Sequence, residues 1–423
     1  MGRLAVRAGV RAAVIVLVVA LVAVAPASRA DEAPTPPDRV PPSQDNGGEG
    51  RSNGLDGEHV PPYKACSKAA RTPGGSRLVR PLPMGPRAED GTFLFTTGVC
   101  IYLPPGYDDR TARYPVLYLL HGGGGDAAAW VNFGAVQDTV DAAGGGLIVV
   151  MPDGSNGLWY DAPDGSLLNE TYVIDFLVPW VDRNLRSIPD RAARAVAGLS
   201  NGGLGAMVFA AKHPDLFVAA ASMSGNLGGY LHDYDQRNRP AYRDGNTPTP
   251  LATNLEHVAL SARWGASCDP MGDLQRDLCA SWAFEQFFRY DNQRFHQTLV
   301  DLGYDHVYEE VEGSHAWRWW STWLRESDLP FLLGQLADPQ PIDAPVVASA
   351  TPATWHYRSI SPSFTIWGYE VTVERDAEEM LELTDVTTAS MTLTGSGVVT
   401  VRTPAGDVQT VDLGDGSTVT IST

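Results

Sequence analysis

Residues 194–214 read RAVAGLSNGGLGAMVFAAKHP, an apolar run that breaks at a serine and resumes with a different period. Ala195 to Gly198 are small and apolar, as the end of a buried strand is. From Gly203 onward Leu204, Met207, Val208 and Ala211 fall on one helical stripe. Between the two lies Gly198-Leu199-Ser200-Asn201-Gly202, a G-x-S-x-G sequence at a strand-to-helix elbow. Such a turn holds its serine in a strained conformation, and glycine flanks it because a Cβ there would strike the neighbouring helix and strand. Ser200 Oγ would point outward, and the first helical N–H groups would lie beneath an oxyanion forming on a substrate. Gly50-Arg51-Ser52-Asn53-Gly54 has the same spacing, but no strand pattern precedes it and no helix pattern follows it.

Strand and helix patterns alternate on both sides of the elbow. Upstream, the apolar run 114–120 runs directly into His121-Gly122-Gly123-Gly124-Gly125-Asp126. A His-Gly-Gly-Gly turn after a buried strand lets backbone N–H groups face a substrate unobstructed, the second half of an oxyanion hole. A helix pattern at 130–142, a strand at 146–151 and a helix at 171–186 follow. Downstream come a strand at 216–223, a polar insertion at 226–254, a strand at 258–264, a helix from about 281, a strand at 306–311 and a last helix from 317. This alternation predicts a doubly wound, mostly parallel sheet of the α/β class covered on both faces. Beyond residue 340 the texture changes. Residues 344–423 hold runs such as 364–373, 398–401 and 418–421 separated by turns, which predict a small all-β, sandwich-like domain with no chemistry-bearing motif.

A serine hydroxyl is a weak nucleophile until a base takes its proton and a carboxylate orients that base. Of nine histidines, His315 is the best placed, in the turn Gly313-Ser314-His315 after the last strand. His213 stands at a helix end, and His257 and His306 stand at the amino ends of strands, the wrong edge of a parallel sheet for catalysis. The chain order serine, acid, histidine confines the acid to residues 200–315. Both Asp269, after the strand 258–264, and Glu285, on the following helix, meet that condition, and spacing does not choose between them.

The chain from about Phe93 to Gly334 resembles the esterase D-like branch of the α/β-hydrolases, which includes feruloyl esterases, S-formylglutathione hydrolases and the secreted mycolyltransferases of the antigen 85 complex. The residues that carry the resemblance are 118–122, 150–152, 198–203, His213-Pro214 and 315–320. In the mycolyltransferases the acid is a glutamate in a segment similar to Phe284-Glu285-Gln286-Phe287, with Arg289, Asn292 and Phe295 at matching positions, which implies Glu285 as the acid here. The resemblance also implies that the N–H groups of Gly123 and Asn201 form the oxyanion hole. His121, Gly122 and Trp317 are what the sequence itself offers around the site, and they are the expected substrate contacts. The mycolyltransferases carry an aspartate where His121 stands and an arginine nearby where this chain has glycine, groups that help hold trehalose. The expectation is a serine carboxylic-ester hydrolase acting on a small-molecule, glycolipid or polysaccharide ester. Its alternatives are transfer of the acyl group to a sugar hydroxyl and a non-catalytic surface-binding protein.

The 423 residues carry a formal charge of −19, and removal of the first thirty, with four arginines and no acid, leaves −23. Such a chain repels polyanions, which argues against nucleic acid as a partner. Residues 1–30 have the build of a cleaved signal peptide: arginines first, an apolar run at 12–25 that is short for a membrane span, then Ser28-Arg29-Ala30. The expected protein is therefore secreted, with no stable membrane insertion. Residues 31–62, rich in Pro, Gly and acids, read as a disordered linker, leaving 63–340 as the catalytic domain. Four cysteines in an exported chain predict two disulfides; of the three possible connectivities the favoured one is Cys66–Cys100 with Cys268–Cys279, since each pair lies within one local region. No metal-ligand spacing is present and no cofactor is expected; oligomeric state is not legible.

Overall fold

The computed structural model describes residues 51–52, 59–60, 66, 73–80, 98–154, 159–165, 167–228, 239–267 and 281–423. The signal-peptide stretch, Asp269 and the pair Cys268 and Cys279 lie outside them. Within the stretch expected to be a disordered linker, Arg51–Ser52 pairs antiparallel with His59–Val60.

Eight strands form the central sheet: β1 (Arg77–Val79), β2 (Val99–Leu103), β3 (Val116–Leu120), β4 (Ile148–Pro152), β5 (Arg194–Leu199), β6 (Ala219–Met223), β7 (Ala259–Ser267) and β8 (Val307–Glu312). Their order is β1-β2-β4-β3-β5-β6-β7-β8. Strand β2 runs antiparallel to both neighbours, and the other five pairings of the sheet are parallel. This is the order of an α/β-hydrolase. The strands from β2 to β6 are buried along their whole length, as sheet positions covered on both faces must be.

Two apolar layers sandwich the sheet. Val116, Tyr118 and Leu120 of β3 face one of them, while Leu117 and Leu119 face the other, as the two-residue period of a strand requires. The first layer packs against α3, a continuous helix built of Asn169–Thr171, a π-helical segment Tyr172–Leu177 and Val178–Asn184. It also packs against α4 (Asn201–Lys212) and α6 (Trp282–Leu302). The second layer packs against α1 (Ala129–Asn132), α2 (Val136–Ala142) and α7, which runs through Trp317–Trp323, a π-helical turn Leu324–Asp328 and Leu329–Leu333. The polar insertion after β6 contains a short helix, α5 (Pro240–Asp244). Cys66 is disulfide-bonded to Cys100 of β2, tying an N-terminal point to the sheet. Among the described residues no helix is long and apolar enough to cross a membrane.

The C-terminal strands β9 (Trp355–Ser359), β10 (Ser363–Ile366), β11 (Tyr369–Glu374), β12 (Leu381–Val386), β13 (Ser390–Arg402) and β14 (Val408–Ser422) form a separate antiparallel sheet. The first half of β13 pairs with β12 and its second half with β11, the change coming at the bulge Gly395/Gly397, where Gly397 has φ 91°. Bending there brings the two halves face to face: Trp355 of β9 and Tyr369 of β11 meet with ring centroids 5.5 Å apart over a shared core. This sheet grips the far end of α4. Tyr357 Oη donates to the Lys212 carbonyl at 2.6 Å, and Asn254 Nδ2 donates to the carbonyls of Ala211 and Arg358. Lys212 ends a 12-residue helix, so this contact lies roughly 18 Å from the elbow at 1.5 Å per residue.

Candidate active site

The elbow takes the shape that its glycines require. Ser200 has φ 54° and ψ −120°, a region that side-chain-bearing residues occupy only where the surroundings enforce it. A Cβ on Gly198 would stand 2.3 Å from the Gly202 carbonyl oxygen, and one on Gly202 would stand 2.5 Å from the carbonyl oxygens of both Leu120 and His121. The strand, the helix and the turn after β3 therefore meet only with glycine at both places. Ser200 N–H donates to the Met223 carbonyl at 2.9 Å, which ties the elbow to the end of β6.

The structure brings Ser200, His315 and Glu285 together from three elements. His315 Nε2 lies 3.0 Å from Ser200 Oγ, and His315 Nδ1 lies 2.7 Å from Glu285 Oε2. Glu285, in the first turn of α6, is wholly buried and accepts a second hydrogen bond through Oε1 from the Gly265 N–H of β7 at 2.8 Å. Both carboxylate oxygens are thereby engaged, so the group has one orientation. The imidazole of His315, 1% exposed, is boxed by Phe284, Phe288 and Trp320 with centroids 4.9, 5.0 and 4.8 Å away. Trp320 Nε1 in turn donates to Ser224 Oγ, so the box is anchored to the end of β6.

Asn201 opens α4, and the first N–H groups of a helix have no acceptor within it. Gly123 stands against the Asn201 side chain: a Cβ on Gly123 would come 3.1 Å from Asn201 Nδ2. The two residues expected to supply the oxyanion donors are thus neighbours.

Three expected substrate contacts are placed differently. His121 is 2% exposed, and both ring nitrogens serve the backbone: Nδ1 donates to the Gly122 carbonyl at 2.7 Å and Nε2 accepts from the Gly154 N–H at 3.0 Å. Trp159 Nε1 donates to the His121 carbonyl at 3.1 Å, and Trp130 Nε1 donates to that of Leu120 at 3.0 Å. His121 therefore pins the glycine turn from beneath. Gly122 serves close packing, since its Cβ would stand 2.6 Å from Leu199 Cδ1. Trp317, 6% exposed, packs edge-on against Trp130 and Trp320 in the layer behind His315. The other weighed histidines lie elsewhere, His213 bonded to Glu170 and His306 to His296.

Two supporting residues escaped the sequence reading. Asn226, 1% exposed, donates its N–H to the Ser200 carbonyl at 3.1 Å and its Nδ2 to Asn201 Oδ1 at 3.2 Å. Gly265 supplies its N–H to Glu285. The available signal for Asn226 was its place just beyond the carboxyl end of a buried strand, the edge where ligands bind in α/β sheets. A cavity of about 860 Å³ lies elsewhere, at the far end of α4, where Glu170, Lys212, Tyr242 and Tyr357 line it, and it includes none of the three central groups.

The chain is similar to several proteins named as esterases or acyltransferases. Esterase Rv1288 of Mycobacterium tuberculosis (strain H37Rv) is 42% identical over 266 residues, 55% of this chain and 55% of that protein. The diacylglycerol acyltransferase/mycolyltransferase Ag85B of Mycobacterium leprae is 28% identical over 246 residues, 50% of this chain and 73% of that protein. The chain spans about half the length of the first of these relatives. The solved structure of a ferulic acid esterase aligns with 61% of this chain and 99% of its own, at 23% identity and TM-score 0.49. The Esterase family model, described as a putative esterase, matches residues 95–329, more than half of the chain, and the chain belongs to this family.

Proposed function

We propose that the protein is a secreted serine esterase that cleaves carboxylic esters through an acyl-enzyme, with Ser200 as nucleophile, His315 as base and Glu285 as its orienting acid. The observation that carries the reading is the unbroken line of hydrogen bonds Ser200–His315–Glu285–Gly265 at the carboxyl edge of the sheet. Oγ attacks the ester carbonyl as Nε2 takes its proton, and the N–H groups of Gly123 and Asn201 receive the developing oxyanion. His315 then protonates the leaving alcohol, and water repeats the sequence on the acyl-enzyme. Glu285 keeps the Nδ1 proton in place and stabilises the transient imidazolium. On this reading residues 1–30 are removed on export, 31–62 form a linker to the catalytic domain 63–340, and 344–423 are an accessory domain.

The relative named as a mycolyltransferase supports the alternative acceptor, a sugar hydroxyl. Transfer outruns hydrolysis only where a pocket holds that hydroxyl against the acyl carbon, and a sugar needs several directed polar groups to be held. The turn after β3 offers glycines, and its one polar ring, His121, is turned inward. Water is therefore the main acceptor. The test supplies a chromogenic ester with excess trehalose, glucose or glycerol and follows both products. Free acid should dominate, and Ser200→Ala should abolish both turnover and fluorophosphonate labelling. Acylated sugar forming faster than free acid would replace the hydrolase reading with the transferase one. A fluorophosphonate adduct on any serine other than Ser200 would overturn the nucleophile.

A further inference from the structure

Gly123 lies on a run of four glycines, and the next residue, Gly124, has φ 73°. Such a backbone has wide conformational freedom, yet an oxyanion hole stabilises a transition state only if its donors stand about 2.7–3.1 Å from one oxygen position. Something must therefore stop the turn at the correct distance from the helix that carries the other donor.

The side chain that stands against Gly123 is the carboxamide of Asn201, whose Nδ2 would lie 3.1 Å from a Cβ placed there. A free carboxamide rotates broadly about its terminal bond, so contact alone would not hold it. Here Asn201 Oδ1 is taken by Asn226 Nδ2, which leaves Nδ2 of Asn201 on the Gly123 side. Asn226 is fixed in turn by its own N–H on the Ser200 carbonyl, and all three residues are buried, at 1%, 2% and 7% exposure for Asn226, Asn201 and Ser200. The loop after β6, the head of α4 and the turn after β3 are joined through two asparagines.

We infer that Asn226 is a positioning residue that, acting through the Asn201 carboxamide, holds the Gly123 turn at the separation the oxyanion needs. The inference rests on the reading of Gly123 and Asn201 as the oxyanion donors. Asn226 touches no reacting atom, so its loss should raise the barrier without changing how the ground-state ester binds.

The experiment measures kcat and KM per active site, with sites counted by fluorophosphonate titration, for Asn226→Ala, Asn201→Ala, the double variant and the near-isosteric Asn226→Asp. Loosening a donor should cost less than the factor of about 10²–10³ seen when one is removed, so Asn226→Ala should lower kcat roughly tenfold with KM within about twofold. A trifluoromethyl ketone that mimics the tetrahedral adduct should lose affinity by the same factor. Because both residues act as one unit, the double variant should be no slower than the slower single one. Asn226→Asp offers an acceptor to Asn201 Oδ1, which should turn that amide over and cost at least as much. The inference is overturned if kcat per labelled site stays within about twofold of wild type in both Asn226 variants, or if the losses multiply in the double variant. A structural role alone would lower the melting temperature and the number of labelled sites but not kcat per site. Retained turnover in Ser200→Ala would instead refute the proposed function, whatever Asn226 does.

Discussion

Glu285→Gln tests the assignment of the acid, and the structure supplies its magnitude. Oε2 accepts from His315 Nδ1 and Oε1 accepts from the Gly265 N–H, so the position demands two acceptors. Glutamine has one acceptor and one donor. If its oxygen stays on Gly265, its NH₂ faces Nδ1, and His315 must move its proton to Nε2, the nitrogen that lies 3.0 Å from Ser200 Oγ and has to take the serine proton. If the oxygen faces Nδ1 instead, the NH₂ meets the Gly265 N–H in a wholly buried place, at a cost of about 1–3 kcal/mol for unsatisfied donors. Either way the negative charge opposite the imidazolium is lost. The corresponding change in a serine–histidine–aspartate triad lowers kcat about 10⁴-fold, and a loss of about 10³–10⁴, or about 4–5.5 kcal/mol, is expected here. The assay is p-nitrophenyl acetate hydrolysis across neutral pH, beside circular dichroism to show that the variant is folded. Asp269→Asn in the same assay should stay within about threefold of wild type. If Glu285→Gln kept more than about a tenth of kcat/KM while Asp269→Asn lost more than that, the acid would be Asp269 and the argument from two acceptors would fail.

Two further perturbations read stability. Cys66 and Cys100 close a loop spanning 34 positions, for which chain entropy gives about 4 kcal/mol, so Cys100→Ala should lower the urea midpoint substantially; an unchanged midpoint would show that the bridge constrains nothing. Burial pushes the carboxyl of Asp291, on α6 and 5% exposed, up to about 6, with nearby Arg294 offsetting only part of that. A carboxyl raised in the folded state binds its proton more tightly there than when unfolded, so stability falls as pH rises from about 4 through about 6 and stays lower above. Asp291→Asn should therefore stabilise the fold by about 1–3 kcal/mol at pH 8 and by almost nothing at pH 4. An equal gain at both values would mean that titration of Asp291 is not the cause.

Strand periods, the G-x-S-x-G elbow and the His-Gly-Gly-Gly turn are local patterns, and local sterics alone make them legible. A buried strand running into Gly198-Leu199-Ser200-Asn201-Gly202 leaves the chain few other shapes, because both glycines meet backbone oxygens at 2.3–2.5 Å. Strand–helix alternation likewise predicted the parallel sheet, and the turn after the last strand pointed to His315. The bend that folds the C-terminal sheet at Gly395/Gly397 was not legible, because it depends on which strands pair with each half of β13.

The residues alone determined the fold class and singled out Ser200 and His315 as the candidate pair, since each follows from a short run whose period and glycines dictate its own geometry. Between Asp269 and Glu285 they left a choice that only resemblance narrowed, because an acid becomes a partner through the place where β7, α6 and the turn after β8 meet, and chain separation says nothing about that meeting. The tertiary structure also gave His121, Gly122 and Trp317 packing and hydrogen-bonding roles that the sequence did not suggest. From sequence a histidine beside a glycine turn reads as facing substrate; in the fold, burial of that turn leaves backbone N–H and carbonyl groups that need partners, and His121 is the side chain within reach of both the Gly122 carbonyl and the Gly154 N–H. Asn226 belongs with these. Its two hydrogen bonds reach 25 and 26 residues back along the chain, and the parallel packing of β5 beside β6 is what makes them short.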